Sequence, residues 1–268
     1  MASLYGALPV HPEPQRVVSM NLCTDQLAML VAREGQLHSV SYLAGDDRSS
    51  AMTAEAAQYD INHGLAEEVY LMQPDLVIAG AYTTRATVAM LRRLDIPVVT
   101  FEAANSLEDV RARILQMDDV LKREAVAQTL VSDFDIRLAE LHAQVQERPR
   151  AILYYAGGYT QGDQTLAGQI LLAAGFANGA AEAGYSAGMK MPLEVLAMAA
   201  PDIVVTSRPY PGRSRAEEVT DHPVVRSFRD LQASATVSDH DWVCGTPYVL
   251  RAIDKLGAAR RAMTAEVE

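Results

Sequence analysis

Cys23 and Cys244 are the residues of this chain with the widest choice of chemistry. Each stands just before a helical pattern, and a helix N-terminus lowers a thiol pKa. Three states fit that placement: a disulfide between distant parts of the chain, two independent buried thiols, or two soft ligands to a bound metal complex. A bridge needs Cα atoms within about 7 Å of each other, which sequence spacing alone does not fix. A different chemistry is suggested by Gly184 to Gly188, GYSAG, which matches the G-x-S-x-G signature and would make Ser186 an acylating serine, with His222 or His240 as its base. That signature requires a buried strand before it and a helix directly after it. Here Asn178 to Ala183 is small and acidic and Pro192 follows soon, so a glycine-rich loop is expected and the serine hydrolase is the alternative.

The histidines at 11, 38, 63, 142, 222 and 240 form no i, i+4 pair and no tight cluster, so a histidine-based metal site is not expected. Gly157, Gly158 and Tyr159 complete neither G-x-G-x-x-G nor the P-loop pattern, which leaves nucleotide binding without support. More informative are the turns that follow predicted strands, because ligands of α/β sheets collect at the carboxyl ends of strands. These turns hold Tyr82, Arg85, Tyr155, Tyr159, Arg208, Tyr210, Trp242 and Tyr248. Tyrosine offers an apolar face and a hydroxyl, and arginine a fixed fork for carboxylate or phosphate. The lining suits a bulky, partly aromatic and partly anionic ligand, and no catalytic residue is expected.

The elements that must position these groups are legible from periodicity. Ser106 to Arg148 repeats apolar residues every three or four positions, from Leu107 through Leu121 and again from Val126 to Val145, until Pro149 stops it. Ser106 with Asp109 three residues on is a helix cap. Residues 122 to 147 would span about 39 Å at roughly 1.5 Å per residue, the length of a strut between two lobes. On either side of it, Glu67 to Ala79 (EEVYLMQPDLVIA) and Glu194 to Thr206 (EVLAMAAPDIVVT) align without a gap, since 201 − 74 = 127 and 194 − 67 = 127. Each copy is a short helix ending at Pro-Asp and a strand buried on both faces. Each lobe opens with strand, turn and helix: Arg16 to Glu34 in the first, Ala151 to Ala174 in the second. The stretch from Gly45 to His63 has no clear period. The organisation is α/β: two similar Rossmann-like lobes, residues 1–121 and 149–268, joined by one long α-helix over 122–148, with a ligand cleft between them.

With 268 residues there is room for two cores. The balance of 23 basic against 34 acidic residues gives −11, with no cationic stripe to follow a phosphate backbone, so nucleic acid is not an expected partner. No apolar run reaches the roughly 18 residues of a membrane span. The opening MASLYGALPVHPEPQ has neither a basic n-region nor an apolar h-region, as expected of a cytosolic protein or of an exported one without its leader.

RVVSMNLCTDQLAMLVA (Arg16 to Ala32) and AEEVYLMQPDLVIAG (Ala66 to Gly80) carry a resemblance that extends over nearly the whole chain. With the repeat and the strut, the sequence resembles the helical-backbone class of ABC-transporter substrate-binding proteins, the receptors for cobalamin, haem and ferric siderophores. The resemblance implies a periplasmic, monomeric receptor without a cofactor that carries a metal chelate to an inner-membrane ABC permease. It further implies that Glu67 and Glu194, each seven residues before its Pro-Asp proline, dock onto permease arginines. Ligand contacts are expected from Cys23, Tyr82, Arg85, Tyr155, Tyr159, Arg208, Tyr210, Trp242 and Cys244. A pocket rich in tryptophan is not matched, because Trp242 is the single tryptophan; Tyr42 and Tyr82 lie in loops from which tyrosine could ligate ferric haem.

Overall fold

Val17 and Val18 have no exposed surface, and adjacent residues of a strand point to opposite faces, so the sheet they form must be covered on both sides. The structure, a computed structural model, describes residues 13–145, 147–208, 214–230, 236–237 and 239–265. The N-terminal lobe runs β1 (Val17–Ser19), α1 (Leu22–Val31), β2 (Leu37–Ser41), α2 (Thr53–Ala56), β3 (Asp60–Asn62), α3 (Ala66–Leu71), β4 (Leu76–Gly80), α4 (Arg85–Arg93) and β5 (Val98–Phe101). Then come α5 (Leu107–Leu121) and α6 (Glu124–Ala143). The C-terminal lobe contains β6 (Arg150–Leu153), β7 (Tyr159–Thr160), α7 (Leu166–Ala173), β8 (Ala177–Asn178), α8 (Gly179–Glu182), β9 (Met189–Lys190) and α9 (Leu193–Ala199). It ends with β10 (Ile203–Ser207), α10 (Pro223–Asp230), β11 (Thr236–Val237) and α11 (Val249–Ala265).

Both main sheets are parallel, ordered β3-β2-β1-β4-β5 and β11-β10-β6-β8, and β7 pairs with β9 antiparallel. Read outward from β1 and β6 the two orders repeat, with β8, β6, β10 and β11 standing where β2, β1, β4 and β5 stand. The unpatterned stretch after Gly45 holds the short α2 and β3, too brief to leave a periodic signal.

The repeated Pro-Asp has a structural cause. Gln73 (φ 51°) and Ala200 (φ 41°), the residues before the two prolines, both adopt the left-handed backbone that proline's predecessor and most side chains avoid. Each aspartate then fastens the start of the neighbouring strand. The Asp75 carboxylate accepts from the Gln15 and Arg16 N–H groups at 2.7 and 3.0 Å, and its own N–H donates to the Arg16 carbonyl at 3.1 Å. Asp202 accepts from the Arg150 N–H at 2.7 Å and donates to the Arg150 carbonyl at 2.8 Å. The dipeptide therefore ends a helix, reverses the chain and sets the register of β4 on β1 and of β10 on β6.

The central periodic stretch is two helices. Ser106 caps α5 in a reciprocal box with Asp109, but Lys122 takes a left-handed conformation (φ 60°) and ends the helix there. The chain turns, and α6 packs against α5. The linking helix has 20 residues, about 30 Å, and stops at Ala143. Apolar spacing carries through the turn because both helices face one core. That core is continuous between the lobes, joining Val17 and Ile78 of the first sheet, Leu153 and Val205 of the second, Ile114 and Met117 of α5, Phe134 of α6 and Ile253 of α11. The outer faces of the sheets have separate clusters, one around Val18, Val77 and Leu91 and the other around Ile152, Val204 and Leu196.

Candidate functional site

Each lobe turns the carboxyl ends of its strands toward the other. After β1, Asn21 caps α1 by accepting from the Cys23 N–H at 3.1 Å. A Cβ on Gly80, at the end of β4, would lie 2.7 Å from the Asn21 side chain, so only glycine fits beside this cap. Cys23, in the first turn of α1, is bonded to Cys244 with a Cα–Cα separation of 5.0 Å. Of the three states open to the cysteines, the structure has the disulfide, and neither sulfur is left as a thiol or a soft ligand. Beside the bridge, a Cβ on Gly245 would approach the Ala104 Cβ to 2.2 Å, so glycine is required where the second lobe's chain meets the first.

Other contacts cross the same boundary. Arg48, in the loop beyond β2, donates to the Arg208 carbonyl after β10 and lies 3.7 Å from the Asp239 carboxylate. His240 Nδ1 is 3.3 Å from the Asp47 carbonyl. Within the second lobe, Trp242, two residues before Cys244, meets Tyr155 edge to face at 5.5 Å between centroids; Trp242 belongs to the core shared by the lobes and Tyr155 packs against it. Burial pushes the Tyr155 phenol well above its ordinary range, with the Asp239 charge acting in the same direction.

The predicted lining thus separates into groups. Cys23, Cys244, Tyr155 and Trp242 come together at the junction, the two rings packed on each other. Tyr82 is 86% exposed at the end of β4, and Arg85 is exposed at the start of α4. Arg85 lines a groove of about 450 Å³ with Gly80, Thr83, Arg92, Thr100 and Glu102, all of the first lobe. Tyr159 is half exposed in β7 with Lys190 Nζ 5.4 Å from its ring centroid, and Arg208 is exposed after β10. Tyr210 lies outside the described residues. The Tyr42 ring, exposed after β2, stacks on His63 at 5.6 Å and an interplanar angle of 16°, and His63 Nδ1 is 3.1 Å from the Glu68 carboxylate. Ser186 has α8 before it and β9 after it, so the strand-to-helix elbow that activates a serine is not formed.

Beneath the strand ends lies a polar network that sequence periodicity does not reveal. Asp25, fully buried in α1, accepts from the Ser41 N–H at 3.1 Å and the Ser41 hydroxyl at 2.5 Å. Ser19 and Thr24 share a 2.8 Å hydroxyl contact, and Asn62 donates to the Ser19 carbonyl and Ser39 Oγ at 2.8 and 2.9 Å. The ends of β1, β2 and β3 are thereby fixed to one another and to α1. Burial raises the Asp25 pKa to about 6, with the Ser19 and Ser41 hydrogen bonds acting the other way. The available signal was an acid one residue from Gln26 in an otherwise apolar helix, TDQLAMLVA.

Two α/β lobes with opposed strand ends and a shared helical core define the two-lobed class of periplasmic binding fold. The chain belongs to the periplasmic binding protein family, whose profile matches residues 17–233. It is 28% identical over 210 residues to a cobalamin-binding protein of Halobacterium salinarum, a match that covers 75% of this chain and 56% of that protein. The chain therefore spans little more than half the length of such relatives. Among solved structures it is similar to a periplasmic heme binding protein from Pseudomonas aeruginosa, with TM-score 0.75, 20% identity and 92% of each chain covered. It is also similar to the periplasmic vitamin B12 binding protein of Vibrio cholerae, with TM-score 0.70, 16% identity, and 94% of this chain and 98% of that one covered. At these identities the likeness to the two structures is one of fold. Among the described residues no helix is long and apolar enough to cross a membrane.

Two outcomes are expected. Peptide mapping without reduction recovers Cys23 and Cys244 in one linked species, and replacing both by alanine lowers stability by about 5 kcal/mol if loop closure of the unfolded chain dominates, because the bond closes a loop of 221 residues. Quantitative labelling of both as free thiols in denaturant would contradict the bridge. For Asp25, the folded chain retains a proton that the unfolded chain releases from 3.8 upward, so this group makes stability fall as pH rises from about 4 to 6, by about 3 kcal/mol, with no further change above. Denaturant unfolding of wild type and Asp25→Asn should differ in a pH-dependent way only inside that window.

Proposed function

We propose that the chain is the solute-binding receptor of an ABC importer, capturing a metal chelate of the cobalamin, haem or ferric siderophore type between its lobes and delivering it to the permease without chemistry of its own. The observation that carries this is the opposition of two sets of strand ends across a boundary closed on one side by the Cys23–Cys244 bond. Strand ends present loops, free backbone groups and helix N-termini, the parts from which α/β proteins build ligand sites. Family membership supports the receptor role, and the similarity to a cobalamin-binding protein makes a corrinoid the first ligand to try.

In this reading Tyr82, Arg85, Tyr159 and Arg208 contact the ligand from opposite sides, the arginines countering carboxylate or phosphate groups. Tyr210 belongs to the same proposed lining. Tyr155, Trp242 and the disulfide form the floor, and no protein side chain need ligate the metal. Glu67 and Glu194, both exposed in the first turns of α3 and α9, are the proposed contacts to basic residues of the permease. The protein would act as a periplasmic monomer.

Calorimetric titration with cyanocobalamin, haemin and a ferric hydroxamate is expected to give one ligand with sub-micromolar affinity, about −8 kcal/mol or better. Arg85→Ala combined with Arg208→Ala should weaken it at least tenfold. No heat from any of the three would overturn the chelate reading; unchanged affinity in the double variant would overturn the lining.

A further inference from the structure

The Cys23–Cys244 bond crosses between the lobes, tying the first turn of α1 to the segment from Asp239 to Gly245 ahead of α11. That segment is anchored on its own lobe by other means. Trp242 is buried against Tyr155, and Lys255 of α11 donates to the carboxylate of the buried Asp241. Beside the bond, it meets the first lobe through weaker contacts: Arg48 at 3.7 Å from Asp239 with both side chains partly exposed, the His240 ring at 3.3 Å from the Asp47 carbonyl, and Gly245 against Ala104. An ion pair of that length and exposure contributes little. Breaking the disulfide therefore frees the segment from the first lobe and leaves it seated on the second. The fold itself is retained, because the apolar core through α5 and α6 joins the lobes independently of the bond.

The two sulfurs differ in access and in chemistry. Cys244 is buried, whereas Cys23 is only partly buried and Val243, beside Cys244, is exposed, so the bond is approached from the Cys23 side. Cys23 also stands at the N-terminus of the ten-residue α1, where the helix dipole stabilises a thiolate and so favours the reduced pair. We propose that the bond is a redox gate: a dithiol reductant opens it in the folded protein, the segment from Asp239 to Gly245 withdraws from the first lobe, and the chelate held between the strand ends is released. In the first step a thiolate of the reductant bonds to the Cys23 sulfur as the Cys23–Cys244 bond breaks, and Cys244 leaves as a thiolate that takes up a proton. In the second, the other thiol of the reductant loses its proton and attacks its partner sulfur, and Cys23 leaves as the helix-stabilised thiolate. The protein gains two electrons and the dithiol becomes a disulfide. Release of the chelate rests on the receptor function proposed above; opening of the gate does not.

The test treats the full chain with dithiothreitol under native conditions and follows both cysteines by alkylation and mass spectrometry, with amide hydrogen exchange on the same samples. Both cysteines are expected to become alkylated while far-ultraviolet circular dichroism stays native, and exchange in residues 239–245 should rise roughly tenfold or more while that of β4 and β10 is unchanged. Cyanocobalamin, haemin and a ferric hydroxamate are then titrated into the oxidised protein and into Cys23→Ser combined with Cys244→Ser, which needs no reductant; the chelate that binds the former should bind the latter about tenfold or more weakly. Should the double variant not fold, the reduced and alkylated wild type takes its place. A bond that yields to dithiothreitol only in denaturant, or reduction that leaves exchange in residues 239–245 unchanged, would overturn the gate. Faster exchange with undiminished chelate affinity would overturn its role in release. If no chelate binds even the oxidised protein, the receptor reading fails and the exchange result alone decides whether the gate opens.

Discussion

The bond between Cys23 and Cys244 determines how the two lobes can behave toward each other. It joins the first turn of α1 to the segment leading into α11. Around it the boundary is packed, with Gly245 against Ala104, Arg48 against Arg208 and Asp239, and one apolar core running from the first sheet through α5 and α6 to the second. A covalent bond and a shared apolar core therefore hold the two lobes together on this side.

The rest of the architecture is a repeated device. Helix, left-handed residue, proline, aspartate and buried strand occur once in each lobe, and in each the aspartate carboxylate holds the backbone N–H at the start of the neighbouring strand. In both lobes it sets the register of β4 and β10 on their neighbouring strands, and Arg208, just after β10, meets Arg48 across the boundary between the lobes.

Much of this was legible in the sequence because it is local. The Pro-Asp repeat, the strands around Val77 and Val204 and the Ser106–Asp109 cap all express themselves within a dozen residues. What was lost is what depends on distance along the chain. The break at Lys122 is invisible to periodicity, because α5 and α6 bury their apolar faces in one core and the spacing continues while the direction changes. Cys23 and Cys244 could be placed at two turns but not shown to meet, since 221 residues intervene. Trp242 and Tyr155 read as aromatics at two separate turns, and that their rings meet edge to face carried no local signal. Arg48, Asp239 and Asp25 carried no motif; their importance comes from partners that the fold alone brings near.

The most direct test of the account is a crystal of the protein soaked with a cobalt or iron chelate and measured at the metal's absorption edge. The account predicts one strong anomalous peak between the lobes, flanked by the residues that follow β1 and β4 on one side and β6 and β10 on the other. A sole peak in the groove lined by Arg85, Arg92 and Glu102, reached by the first lobe alone, would contradict it.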